Sequence, residues 1–255
     1  PSSVGAWSSV SAGEYHTCSI AQADGALHCW GSNGEGQTYV PSSVGAWSSV
    51  SAGEYHTCGI AQADGALHCW GWNVDGQTDV PVVVSAWSSV GAGFYHTCGV
   101  AQADGALHCW GADEQGQTNV PSGVMVWGFY DPSPHTPSSH SVSAGLFHTC
   151  DLAHADGELR CWGDTSYIDS EYDGDDEYRR PTNVSSHVSA WSSVSTGHEH
   201  TCGIAKDDDA LHCWGATEHG QTDVPSNVSA WSSVSAGHEH TCGIAQADGA
   251  LHCWG

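Results

Sequence analysis

Twelve cysteines carry the most explicit chemistry in the sequence. They fall into six pairs: Cys18 with Cys29, Cys58 with Cys69, Cys98 with Cys109, Cys150 with Cys161, Cys202 with Cys213, and Cys242 with Cys253. In every pair the two residues are eleven positions apart. A histidine stands two residues before the first cysteine of each pair. In most pairs another directly precedes the second, as in His16, Cys18, His28 and Cys29. Such a set suits either a disulfide or a zinc site.

The elements that position these residues decide between the two. Gln22-Ala23-Asp24-Gly25 separates the short runs His16–Ala21 and Ala26–Trp30. A four-residue loop with Gly25 free to turn left-handed makes a hairpin that sets Ala21 opposite Ala26, Ile20 opposite Leu27 and Cys18 opposite Cys29. Facing residues have Cβ atoms about 4.5–5.5 Å apart, close to disulfide geometry. Strand alternation puts His16 and Cys18 on the face of Cys29 and His28 on the other, so four ligands do not converge on one ion. The reading is therefore one disulfide per unit, each stabilising by roughly 2–3 kcal/mol, in an oxidising compartment.

The hairpin is part of a repeat. The first three units recur every 40 residues, with Trp and Gly at fixed offsets and no helical period. That predicts an all-β chain forming a single β-propeller over residues 1–255. Its six blades are 1–40, 41–80, 81–120, 121–184, 185–224 and 225–255, the last closed by the N-terminal segment so that no sheet edge stays open. The final unit stops after its CWG and lacks an NxxGQTxV loop. With no initiator Met and no leader, the sequence reads as a processed product or a piece of a longer chain.

In a propeller the GxxH turns gather near the axis. Their first variable position reads Glu14, Glu54, Phe94, Leu146, His198 and His238, and their second Tyr15, Tyr55, Tyr95, Phe147, Glu199 and Glu239. His198, His238, Glu14 and Glu54 are adjacent around the ring and form a candidate site for a divalent metal. No other cofactor is expected. The repeated His16, His56, His96, His148, His200 and His240 are expected to tie strands to neighbouring backbone, and the two Trp sets to fill the contacts between blades.

Blade four departs from the template through insertions near 128–140 and 164–180. The first is rich in Pro and Ser, with Thr136 and the serines as O-glycan acceptors. The second, DTSYIDSEYDGDDEYRR, interleaves carboxylates with tyrosines. It reads as a solvated acidic loop. The other readings are calcium ligation and docking of a basic partner through Tyr167, Tyr172, Asp173, Asp175, Asp176 and Tyr178. Sequons at Asn183 and Asn227 make both N-glycosylation candidates in a secreted eukaryotic chain.

Four Lys+Arg against 29 Asp+Glu give a formal charge of −25. Such a surface repels nucleic-acid phosphates and anionic membranes, and no apolar run reaches the roughly 20 residues of a membrane span. A secreted or cell-surface protein is expected, with no nucleic-acid partner and no membrane insertion.

The pattern GxxHTCxIxxxDGxLxCWGxNxxGQTxVP resembles the regulator of chromosome condensation repeat, in the short form also seen in the propeller-type β-lactamase inhibitor protein. His16, Gly25, Trp30, Gly31, Gly36 and Gln37 sit at its marker positions. The resemblance implies a toroid whose faces bind proteins, with seven blades as the alternative count. The cysteine pairs are additional to the family pattern. The acidic surface lacks a nuclear localisation run, so chromatin binding and nucleotide exchange are not carried over.

The favoured function is a non-enzymatic extracellular structural or protein-interaction module, part of a larger surface or matrix assembly with other proteins or copies of itself. The alternatives are a secreted inhibitor or ligand-binding propeller acting through one face, and a propeller enzyme. For the last, no Ser-His-Asp elbow, phosphate loop or HExxH helix is found, and no catalytic residue is assigned.

Overall fold

The computed structural model describes residues 6–121, 140–163 and 181–255. The described residues form eighteen strands and no helix, hence no helix long and apolar enough to cross a membrane. Six three-stranded antiparallel sheets follow one another along the chain. Blade one is β1 (Trp7–Ala12), β2 (His16–Ala21) and β3 (Leu27–Gly31); blade two is β4 (Trp47–Ala52), β5 (His56–Ala61) and β6 (Leu67–Gly71). Blade three is β7 (Trp87–Ala92), β8 (His96–Ala101) and β9 (Leu107–Gly111); blade four is β10 (His140–Ala144), β11 (His148–Ala153) and β12 (Leu159–Gly163). Blade five is β13 (Trp191–Thr196), β14 (His200–Ala205) and β15 (Leu211–Gly215); blade six is β16 (Trp231–Ala236), β17 (Thr241–Ala245) and β18 (Leu251–Trp254).

Local turn chemistry sets the register. In blade one Ala21 N donates to Ala26 O (2.9 Å) and Gly25 N to Ala21 O (3.0 Å), Asp24 Oδ1 accepts from Ala26 N (3.0 Å), and Gly25 has φ +71°. Cys18 consequently faces Cys29, Cys58 faces Cys69 and Cys98 faces Cys109. Cys150 faces Cys161, Cys202 faces Cys213 and Cys242 faces Cys253 in the same way. All six pairs are disulfide-bonded, with Cα atoms 4.1 Å apart, as the hairpin register requires. The two ends of each bridge are not equally covered. Cys18, Cys58, Cys98, Cys150 and Cys202, on the middle strands, are fully buried, while Cys29, Cys69, Cys109, Cys161 and Cys213, on the outer strands, are half-buried. In blade six Cys242 is half-buried and Cys253 exposed.

A blade this small cannot bury both faces alone, so the core lies between blades. Cys18, Ile20 and Leu27 of blade one close over Trp47, with Val50 and Trp70 of blade two packed against them. The same layer recurs at the following junctions, except that blade four, without a first-strand Trp, covers blade three with Val142 and Trp162 alone. Both Trp sets thus fill inter-blade space, as expected. Two hydrogen bonds pin each layer: Trp70 Nε1 (2.9 Å) and Thr57 Oγ1 (2.8 Å) both donate to the carbonyl of Gln37, in the loop between the blades.

Blade four breaks the pattern at its first strand. Elsewhere a bulge lets Trp47 or its equivalent pair with the last Ala of the middle strand. In blade four the register runs without a bulge and His140 takes that place opposite Ala153. Where Trp47 lies across Gly59, an ideal Cβ on Gly59 being 2.6 Å from the ring, His140 instead pairs with Asp151, Nδ1 to Oδ2 3.0 Å. The Asp151 carboxylate raises the His140 pKa. Trp-over-Gly has been exchanged for an imidazole-carboxylate pair.

Among the described residues no N-terminal strand joins the last blade. β1 pairs with β2 in its own sheet, and the sixth sheet is β16-β17-β18. Of the two insertions, His140 is described; the remainder of 128–140, and 164–180 with Tyr167, Tyr172, Asp173, Asp175, Asp176 and Tyr178, lie outside the described residues.

Candidate functional site: the channel mouth

The GxxH turns of all six blades meet around one small opening, with a free volume of about 50 Å³, lined by backbone Gly and Ala and by Glu14, Phe94, His198 and His238. The turns are held by the histidine that follows them. His16, His56, His96, His148 and His200 are buried, and each Nε2 lies 2.7–2.9 Å from a threonine hydroxyl of the next blade: Thr57, Thr97, Thr149, Thr201 and Thr241. The sequence points to a backbone partner for these histidines. In the structure the threonine intervenes, donating its own proton to a loop carbonyl, as Thr97 does to Gln77 O (2.8 Å). Its hydroxyl proton being used, Thr97 accepts from His56, which fixes the Nε2–H tautomer. Burial pushes His56 and His148 down to about 3 and His16, His96 and His200 down to about 4.

The variable residues sort into two groups at this mouth. The rings of His198 and His238 lie 4.0 Å apart, with Phe94 edge-on to His198 at 4.6 Å. His238 Nε2 is 3.9 Å from Glu14 Oε1. Burial, then the neighbouring His238, pushes His198 down to about 4. Opposite them Tyr15 stacks on Tyr55 at 5.5 Å and Tyr55 leans on Trp72 at 5.9 Å. Glu54 is buried beside these phenols, and burial pushes its carboxyl up to about 7. One carboxylate oxygen each of Glu14 and Glu54, and the Trp72 Nε1, are buried without a hydrogen-bond partner.

Of the residues expected at a metal site, His198, His238 and Glu14 are drawn together, the two imidazole planes tilted 50° to each other, while Glu54 lies beside the tyrosines. No group of three His, Cys, Asp or Glu among the described residues is placed to hold a metal ion. Phe94 packs on the imidazoles, and Leu146 is buried. Sequence reasoning did not assign the Tyr15, Tyr55 and Trp72 cluster. The repetition of Tyr at the second GxxH position was the available signal. Asn183 and Asn227, the sequon residues, are both exposed.

Known proteins fit this geometry. The model of the regulator of chromosome condensation (RCC1) repeat matches residues 7–37, 47–77 and 87–117, within the first three blades. No curated protein matches the sequence. Among solved structures, the ectodomain of the Physcomitrella patens receptor kinase CR4 superposes with a TM-score of 0.69 at 23% identity, over 99% of this chain and 65% of that one. The CRINKLY WD40 ectodomain of the Arabidopsis thaliana receptor kinase ACR4 gives 0.67 at 21%, over 98% and 79%. Prp20p of Saccharomyces cerevisiae, described with its binding properties to Gsp1p and histones, gives 0.66 at 15%, over 97% and 71%. At these identities the likeness is one of fold, and the chain spans about two thirds of the length of the first. Residues 7–37, 47–77 and 87–117 match the RCC1 repeat, the same disulfide-paired sheet forms six times around one channel, and the fold is that of an RCC1-type repeat β-propeller.

Proposed function

We propose that this propeller is a non-catalytic protein-interaction module of an extracellular setting, and that its channel mouth receives a cationic side chain of a protein partner. The observation that carries the reading is the pair of buried, unpartnered carboxylate oxygens on Glu14 and Glu54 beside the stacked Tyr15 and Tyr55 and the neighbouring Trp72. A buried acceptor left unsatisfied is costly, and a lysine or arginine head can satisfy it while its charge rests on aromatic faces. The formal charge of −25 favours approach of a basic partner.

Six formed disulfides support an oxidising compartment, and two of the similar structures are receptor ectodomains. The side chains converging at the mouth provide pairs of like groups rather than an acid, a base and a nucleophile in separate roles, which supports binding over catalysis.

The test is calorimetric titration of the whole chain with lysine- and arginine-rich peptides against acidic and neutral controls. Binding of a basic peptide that weakens at least about tenfold in Glu14→Gln or Tyr55→Ala supports the reading. Equal binding by these variants, or a preference for acidic peptides, overturns it. Alkylation of unreduced protein from its natural source tests the setting: accessible thiols would contradict an extracellular home.

A further inference from the structure

The rim of the channel mouth changes chemistry from one side of the ring to the other, although every blade builds it from the same positions. The second variable residue of the GxxH turn is Tyr15, Tyr55 and Tyr95 in blades one to three, and Glu199 and Glu239 in blades five and six. The connections behind the blades repeat the division. The third residue after CWG is Val74 behind blade two, where blade five has Glu218; the eighth is Tyr39 behind blade one, where blade five has Asp223. Blade three already carries Glu114 at the third position, so the apolar half ends there.

Backbone contacts join the connections to the turns. Ser32 N donates to Tyr15 O (2.8 Å), Trp72 N to Tyr55 O (2.9 Å) and Ala216 N to Glu199 O (2.9 Å), so each of these connections starts on the turn of its own blade. The connection behind blade five also reaches the next turn, since His219 Nε2 is 3.4 Å from Glu239 Oε1. Both halves face solvent. Tyr39 and Val74 are each 74% exposed, and the Glu199 and Glu239 side chains 40% and 56%. Exposed apolar residues scattered singly need no explanation. These two stand where sibling repeats have Gly34, Glu114, Asp79 or Asn119, on the connections that start at the stacked Tyr15 and Tyr55.

We infer that the partner presents a segment that is basic on one side and apolar on the other, its apolar residues resting on Tyr39, Val74 and the tyrosine turns and its basic residues facing Glu199, Glu218 and Glu239. This rests on the reading above, in which a cationic side chain enters the mouth beside Glu14 and Glu54. Charge complementarity names the occupant. A purely basic segment leaves the apolar half against water, and a purely apolar one desolvates the carboxylates without a counter-charge. Aromatic side chains supply the contact area that holds such a segment, and rim carboxylates steer and orient it. A second copy of this chain, with its formal charge of −25, would bring like charge to the acidic half.

In the test, peptides of equal length are titrated calorimetrically into the 255-residue chain: one of lysines and leucines, one with serine for each leucine, and one with glutamine for each lysine. The lysine–leucine peptide should bind at least about tenfold tighter than the lysine–serine peptide, with the leucine–glutamine peptide weakest. Tyr39→Asp with Val74→Gly installs residues that sibling repeats carry at these positions, Asp79 and Gly34, so the blades keep their sequence pattern. It should bring the lysine–leucine peptide down to the lysine–serine level and leave the latter unchanged. Glu199→Gln with Glu239→Gln should weaken both lysine peptides at least about threefold. Equal binding of the two lysine peptides, or a leucine advantage that survives the Tyr39 and Val74 changes, overturns this inference and leaves the cationic reading standing. Failure of both lysine peptides to bind overturns the two together. Self-association of the parent chain that is lost in Tyr39→Asp with Val74→Gly also overturns the inference, making a second copy the occupant.

Discussion

His56 Nε2 lies 2.8 Å from Thr97 Oγ1, and Thr97 Oγ1 lies 2.8 Å from the carbonyl of Gln77. This relay crosses from blade two to blade three and ends in the loop that connects them, so a single hydroxyl joins two blades and their connection. Thr97→Val keeps the shape and removes the joint. The His56 N–H is then buried without an acceptor, and the chain should lose about 1–3 kcal/mol in denaturant unfolding. The control is Thr17→Val in blade one, half-buried and reached by no histidine of the described residues; its effect should stay within about 0.5 kcal/mol.

Acid should loosen the same joints together. His16, His56, His96, His148 and His200 are held at about 3 to 4, against 6.5 for an unperturbed imidazole. The unfolded chain therefore binds more protons than the folded one between about pH 6.5 and 4. The stability these groups contribute is complete above pH 6.5 and is lost as pH falls toward their folded values. Glu54, raised to about 7, acts in the opposite sense over pH 7 to 4.5. One carboxyl does not offset five imidazoles. Tm measured from pH 7.5 to 4 should fall steadily; a flat profile would contradict the buried neutral histidines.

The exchange of Trp-over-Gly for His140-Asp151 predicts a coupled pair of substitutions. An ideal Cβ on Gly99 lies 2.6 Å from the Trp87 ring, so Gly99→Asp should cost about 1–3 kcal/mol by overpacking. Adding Trp87→His recreates the pair found in blade four and should recover part of the loss. A double-mutant cycle on urea-unfolding free energies reads the coupling, expected at about 0.5–3 kcal/mol in the restoring direction. Simple additivity would show that the two positions are independent.

Blade five carries a removable strain. Asp209 stands at the turn position held by Gly25 in blade one and adopts φ +57°, a left-handed conformation costly for a residue with a Cβ. Asp209→Gly should raise stability by about 0.5–1 kcal/mol, seen as a higher urea midpoint. The contact of Gln246 Nε2 with Asp209 Oδ2, 3.2 Å and exposed, is too weak to reverse the sign.

The local layer of this protein was legible in its residues. The Ala-Asp-Gly turn, the eleven-position cysteine spacing and strand alternation together dictate Cys18 opposite Cys29, because a short hairpin leaves one register in which the turn closes and the cysteines meet. Six such units with inward Trp and Leu dictate a propeller, because each sheet has two faces to cover. Other features depend on which blade stands beside which. The threonine that receives His56 is 41 residues away, and nothing within one repeat names it. The packing of His198 against His238 and Phe94 is a matter of a few ångströms that spacing does not encode. The difference between Leu251, which is exposed, and Leu27, which is buried, is likewise invisible in a list of six equal repeats: the two have identical neighbours in sequence, and burial separates them because a blade covers one and not the other.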